Sequence, residues 1–546
     1  MIKRKSEYIY EYIILIVSIV FCVCFFNNHC NLITDFGREV LIPVEILNGQ
    51  VLYKDILNIY GPLSYYINAL AVFLFGKNLN TFFITGSLNC IIFSLLIYKI
   101  GTKFFDKKLS LFSSLLISVY CMYGFGLYDF QHPYTYAVTY GLTFGTASVF
   151  YFIKYFETKF SSDLYFAALS AGLSACCKVE FMPFLLLYIL ILFIYECPIK
   201  KIFGFLLFLL LPFSVFCIPV VQGMTFEDVK YAAEIVMKEV SVPSVVNFSR
   251  LTGSYFSLGH FLNGVLSSFV SFVIFGVLFL LFKKLSDKKI LFIVISAPFY
   301  LACLILFSGG EFAVLPIIIF CAFILFALRK SEPKYLILFG GALVCASKTL
   351  FSLNLTGYGT YTLPLLLLSL IVLLNVKPQT EQFIKFIVVF LIFVKLVPII
   401  FLYQEYNFPV KTDKGTIRTS KIWAEGISEY INFVKSSTGK DDEILHLQEG
   451  ALLNFLTDRK TDMLFYALNL PYIETYGIQA VINEINKFKY ITVINGFGSY
   501  YFGSVNMYLP DNQNNLISDF IKNNYTPVYE YKNGNEIILL LKKNKF

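Results

Sequence analysis

The chain has 546 residues, 57% of them hydrophobic and 15% charged, with a mean hydropathy of +0.69. A soluble domain is about half apolar and about a quarter charged. No soluble surface hides this excess, so the composition places the chain in a membrane. It excludes a soluble enzyme, a disordered tail, a coiled coil and a disulfide-rich secreted scaffold. The charge is uneven. From Tyr403 onward there are 15 Lys and Arg against 16 Asp and Glu, a net −1, and the first 402 residues carry 29 against 20, a net +9. The basic excess belongs to the membrane part and reflects topology; nucleic acid is not an expected partner.

Apolar runs of about 20 residues mark spanning helices. In chain order they fall near 8–27, 80–100, 109–127, 135–154, 163–177, 181–196, 202–221, 260–282, 290–307, 312–328, 335–350, 359–375 and 383–402. This predicts about thirteen spans. Lys3, Arg4 and Lys5 precede the first, which has no small-residue cleavage site and reads as an anchor. With the N-terminus inside, one set of alternate loops holds Lys103, Lys107, Lys108, Lys154, Lys159, Lys200, Lys201, Lys283, Lys284, Lys288, Lys289, Arg329, Lys330, Lys334 and Lys377. The other set holds only scattered basic residues, as the positive-inside rule requires. An odd number of spans then puts the tail outside, at the plasma membrane. The fold class expected is a polytopic α-helical membrane protein, residues 1–402, followed by an extracytoplasmic α/β domain, residues 403–546.

Two outside segments are long, 27–79 and 223–259. In the first, Asp35 to Leu47 reads as a helix lying on the surface. Leu63 to Phe75 reads as an interfacial helix opened by Pro62, which suits a first helical turn. The tail alternates. Glu443–Leu447, Tyr490–Ile494 and Glu536–Lys542 read as strands, and Ile427–Lys435, Ile478–Lys487 and Leu516–Asn523 as helices. The 12 cysteines all precede the tail, and most lie within apolar runs, which argues against a disulfide framework.

Charged groups at the outer rim are the informative ones, because burying them is costly. Asp35 and Glu39 stand four residues apart, with Arg38 between, so on a helix the two acids share a face. A carboxylate there can take a proton from an acceptor hydroxyl. Equally, Asp35 can simply cap the following helix. Asp129, His132 and Tyr134 form a polar turn that either binds sugar or phosphate or only starts a helix. Lys178, beside Glu180, and Lys348, followed by Tyr358 and Tyr361, can each neutralise a phosphate or serve as an ion-paired helix end. Arg250 in the second long segment is a further cation. His29, His132 and His260 lie near the outer face, but their spacing fits no metal motif. No metal or other cofactor is predicted, although a divalent ion is compatible with the composition of the rim. Glycine-rich nucleotide motifs and a nucleophile elbow are absent from the sequence.

The runs Asp35 to Glu39, Leu47 to Asp55, Tyr60 to Leu63 and Phe75-Gly76 together resemble the first outside loop of GT-C membrane glycosyltransferases, in the protein-mannosyltransferase and aminoarabinose-transferase branch. Ala171-Gly172-Leu173 leading to Lys178, Tyr361 to Pro364, and Leu453 to Arg459 resemble later family segments in the same order. Two features depart from the family. Protein mannosyltransferases carry an adjacent Asp-Glu pair, whereas Asp35 and Glu39 are separated, and the carbohydrate-binding repeat of eukaryotic members is missing.

The resemblance implies a polyprenyl-phosphate-sugar donor and transfer with inversion to a glycan, lipid or protein acceptor. Asp35 would be the base, with Glu39 as its catalytic companion. Lys178, Lys348 and Arg250 would hold the donor phosphate. Arg38, Asp55, Asp129, His132, Tyr134, Tyr358 and Tyr361 would contact substrate. The rival readings are a polysaccharide polymerase or ligase, which would want paired arginines in the 223–259 loop, and a lipid-linked-glycan transporter, which would want internal repeats.

Overall fold

A computed structural model describes residues 8–28, 35–123, 129–284, 312–353, 358–375, 378–447, 450–461, 470–495, 511–534 and 536–544. Every expected span except 290–307, which lies outside these residues, coincides with helix. Leu79–Gly101, Ile199–Val221 and Glu381–Glu405 are long and apolar enough to cross a membrane. Helix starts are set by short polar side chains that satisfy orphan backbone donors. Asn78 accepts from Asn80 N, Asp106 from Leu109 N and Thr135 from Ala137 N. Within Ile199–Val221 the Leu211–Phe216 turn tightens to a 3-10 helix at Pro212, which cannot donate an amide hydrogen bond.

Alternate loops meet at opposite faces of the bundle. On one face Lys103 pairs with Glu157 at 2.6 Å, Lys154 with Asp163 at 2.7 Å, and Lys385 with Asp106 at 2.8 Å. On the other, both long segments and the tail touch one another. Lys54 Nζ donates to Gly223 O at 3.0 Å, Ser244 Oγ to Glu474 Oε2 at 2.6 Å, and Leu79 N to Lys414 O at 2.8 Å.

The first long segment builds two helices, Phe36–Leu47 and Pro62–Phe75. The second ends in exposed apolar side chains, with Phe73 and Phe75 about 70% exposed. The first departs from expectation. It does not lie on the surface: Phe36, Gly37, Glu39, Val40, Leu41, Ile42, Pro43, Val44 and Ile46 are all buried. The tail covers it. A helix Ala451–Thr457 crosses it so closely that a Cβ on Gly37 would stand 2.2 Å from Leu452 N.

The tail begins with a hairpin, Phe408–Thr412 (β1) and Gly415–Thr419 (β2). It continues into a four-stranded sheet of Ile444–His446 (β3), Tyr490–Asn495 (β4), Tyr525–Asn533 (β5) and Glu536–Lys543 (β6), in the order β3-β4-β6-β5. β3 and β4 are parallel and the other pairs antiparallel. Alternation sorts the two faces. Ile444, Tyr490 and Leu540 pack with Ile427, Tyr430 and Val434 of helix Lys421–Ser437, in the same core that holds Phe36 and Val40. Leu445, Ile491 and Leu541 pack with Val481, Ile485 and Ile517.

Candidate functional site

Asp35 stands at the N-cap position of Phe36–Leu47 but makes no capping hydrogen bond. Its φ of 41° lies in the left-handed region, which is uncommon for a non-glycine residue. The side chain turns to Arg38, whose Nη2 donates to Asp35 Oδ1 at 2.9 Å. Because Asp35 precedes the helix, it does not share a helical face with Glu39. Glu39 is fully buried. Its Oε1 accepts from Tyr65 Oη at 3.0 Å and its Oε2 from Tyr136 N at 2.9 Å, so it pins the helix to the bundle. Arg38 Nε lies 3.7 Å from Glu39 Oε1 and makes no hydrogen bond. Burial holds the Asp35 carboxyl above its ordinary range despite the Arg38 guanidinium and the more distant Lys178. Burial also raises Glu39.

The lysine side comes from two helix ends. Lys178 follows helix Ser161–Cys177, and Lys348 sits in the 3-10 turn Ser347–Thr349 after helix Pro333–Cys345. Glu180, on the turn Val179–Phe181, joins them: Lys178 Nζ is 2.9 Å from Oε2 and Lys348 Nζ 3.1 Å from Oε1. Tyrosines surround the ammoniums. Lys178 lies 5.2 Å from the Tyr60 ring, 5.4 Å from Tyr134 and 5.8 Å from Tyr358, and it donates to Tyr134 Oη at 2.8 Å. Lys348 lies 4.1 Å over Tyr358. Burial, with Lys348 nearby, pushes the Lys178 ammonium down to about 8. Burial opposes charge on Glu180 too, but the two lysines outweigh it and hold the carboxyl down to about 2. Lys178, Glu180, Lys348, Tyr134, Tyr358 and Tyr361 line one narrow cleft.

Tyr60 links the two sides: its ring centre lies 5.4 Å from the Arg38 guanidinium and 5.2 Å from the Lys178 ammonium. The structure therefore brings together Asp35, Arg38, Lys178, Lys348, Tyr134, Tyr358 and Tyr361. The remaining sequence candidates sit apart or play local roles. Asp129 is buried and accepts the His132 amide; burial raises its carboxyl to about 8 and lowers His132 to about 4. His132 Nε2 bonds Phe26 O at 3.0 Å, and Asp129 O accepts from Tyr361 Oη at 3.0 Å, so this turn braces the cleft wall. Asp55 is exposed and accepts from Val51 N at 2.8 Å, closing a turn. Arg250 is exposed, and its Nη1 donates to Asn247 Oδ1 at 3.4 Å. His29 lies outside the described residues. Tyr65 and Glu239 escape sequence reasoning. Glu239 ends helix Phe226–Glu239, is buried, and feels the Arg38 charge; burial holds its carboxyl up at about 7. Its position in an amphipathic loop helix gives no sign of this. Tyr60 carries a signal only as part of the Tyr60-Gly61-Pro62 run. There Gly61 approaches Cys176 O so closely that a Cβ would stand 2.1 Å from it, and Gly61 N donates to Cys177 O at 3.0 Å.

Residues 60–221 match the family model described as dolichyl-phosphate-mannose-protein mannosyltransferase. A comparison with curated proteins gives no match. Among solved structures, ArnT from Cupriavidus metallidurans bound to undecaprenyl phosphate is similar with a TM-score of 0.50 and 11% identity, over 97% of this chain and 97% of that one. The same protein in its apo state gives 0.46 and 12%, over 97% of each chain. The archaeal oligosaccharyltransferase AglB from Archaeoglobus fulgidus, in complex with an inhibitory peptide and a dolichol-phosphate, gives 0.46 and 11%, over 89% of this chain and 69% of that one. The likeness to lipid-bound ArnT shows a shared fold. The resemblance to GT-C membrane glycosyltransferases stands on that fold and on the matched segment, which opens at Tyr60 and includes Lys178.

Proposed function

We propose that this chain is a multi-pass membrane glycosyltransferase that moves a sugar from a polyprenyl-phosphate carrier to an acceptor hydroxyl or amine, on a glycan, lipid or protein, at the outer face of the plasma membrane. One observation carries the reading: the Asp35–Arg38 ion pair and the lysine pair joined by Glu180 stand beside one aromatic ring, Tyr60, whose centre lies 5.4 Å from the Arg38 guanidinium and 5.2 Å from the Lys178 ammonium. Asp35 takes the acceptor proton as the acceptor attacks the anomeric carbon. The bond from that carbon to the phosphate oxygen breaks, and the oxygen leaves with the electron pair. Lys178 and Lys348 meet the charge that develops there. Attack opposite the leaving group inverts the anomeric centre. Glu39 holds the Asp35 helix in place, and Arg38 fixes the Asp35 side chain. A lipid donor needs no nucleotide-binding loop, in keeping with the missing glycine-rich motifs. The charge asymmetry of the loops supports an inside N-terminus and an outside tail.

The test is transfer by the purified full chain in detergent, offered a panel of radiolabelled polyprenyl-phosphate sugars with mixed cell-envelope acceptors. Label moving from one donor supports the reading and names the sugar. A folded protein that moves label from none overturns it.

A further inference from the structure

Glu180 has no part in the transfer described above, yet it occupies the centre of the lysine pair. Both of its oxygens are engaged there, at 2.9 Å by Lys178 and 3.1 Å by Lys348. It takes the place a phosphate would take, with two oxygens presented to two ammoniums. It rides on a three-residue 3-10 turn and its side chain is 26% exposed, so it can shift to admit an anion while its charge stays beside the two ammoniums. Lys178 is only 4% exposed, which fixes the ammonium in place.

Charge decides what such an arrangement prefers. Two ammoniums and one carboxylate sum to +1. A polyprenyl-phosphate sugar is a phosphodiester with a single negative charge. The lipid released on transfer is a phosphomonoester, which carries about −1.5 to −2 at neutral pH. A bare lysine pair would hold the product more tightly than the donor and so stall turnover. Resting on the phosphate reading of this cleft, we infer that Glu180 is a specificity-determining residue: it sets the site to a single net positive charge, matches the diester donor, and drives out the monoester product.

The experiment measures binding of two probes to the full chain in detergent: undecaprenyl phosphate and its methyl phosphodiester. In the wild type the two dissociation constants should lie within about threefold of each other. Glu180→Gln keeps the shape of the side chain and removes its charge, and should tighten the monoester relative to the diester by about tenfold or more. A wild type that already prefers the monoester about tenfold overturns the inference, and this comparison needs no variant to fold. So does a Glu180→Gln protein that binds both probes unchanged, or both tighter to the same degree. Lys178→Ala and Lys348→Ala separate the two layers. If they weaken both probes while Glu180→Gln leaves the ratio unmoved, the role of Glu180 falls and the phosphate site stands. If neither weakens either probe, both fall.

Discussion

Gly37→Ala tests how the tail holds the helix that follows Asp35. The added methyl would stand 2.2 Å from Leu452 N and 2.9 Å from Leu452 Cα, both on the crossing helix Ala451–Thr457. Backbone cannot rotate aside as a side chain can, so an ordinary contact of about 3.4 Å requires the helices to part by about 1.2 Å. Overpacking of this kind costs about 1–3 kcal/mol. The greater effect falls on chemistry. Asp35 lies two residues before Gly37 and Arg38 directly follows it, and a misplacement of about 1 Å can cost about 10²-fold in rate. The assay pairs thermal unfolding of the purified variant with transfer of labelled sugar. A lower melting temperature with transfer reduced by about 10²-fold is expected. Gly37→Ala with wild-type stability and wild-type transfer would refute the close crossing and the positional role given to the tail.

Lys178→Ala should weaken donor binding by about 1.5–3 kcal/mol, the range for hydrogen bonds to charged groups, read as the dissociation constant of a labelled polyprenyl-phosphate sugar; unchanged affinity would return Lys178 to a helix-end role. The pH profile of kcat/KM for the donor should be bell-shaped. Lys178, held down to about 8, is protonated below that value and loses its charge above it, so the alkaline limb should fall near pH 8. Asp35, raised by burial, must be ionised to act as base, so the acid limb should fall above the ordinary aspartate range, and it should disappear in an Asp35 variant with residual activity. A profile flat across pH 5 to 9 contradicts both assignments. Tyr65→Phe removes one hydrogen bond to the buried Glu39 carboxylate and should destabilise the protein by about 1.5–3 kcal/mol, seen as a lower unfolding temperature.

The membrane part was legible because apolar runs and alternating basic loops are strong local signals, and twelve of the thirteen expected spans are met by helix among the described residues. Pro62 announced the start of Pro62–Phe75 for a local reason as well. The rest depended on tertiary context. The Phe36–Leu47 helix looked interfacial because its amphipathic pattern cannot show that a tail helix will cover it. The spacing of Asp35 and Glu39 read as a shared helical face, whereas the positive φ at Asp35 puts it outside the helix and Glu39 turns inward to Tyr65 and Tyr136. Isolated lysines at outer helix ends were visible as candidates, but their joining through Glu180 is a long-range contact that no local pattern encodes. Strand β5 escaped notice because Pro527 disfavours a central strand; it lies on the sheet edge beside a register shift, where proline is tolerated. The hairpin of β1 and β2 is short, and its turn at Asp413-Lys414-Gly415 was its only sign.

The most direct measurement sets wild type beside Asp35→Asn in the labelled transfer assay, with donor binding checked in the same preparations. The account predicts that both proteins bind the donor and that label moves only with the wild type. Equal transfer by Asp35→Asn would contradict the assignment of Asp35 as the base and, with it, the reading of the Asp35, Arg38 and Glu39 group as the catalytic side of the cleft.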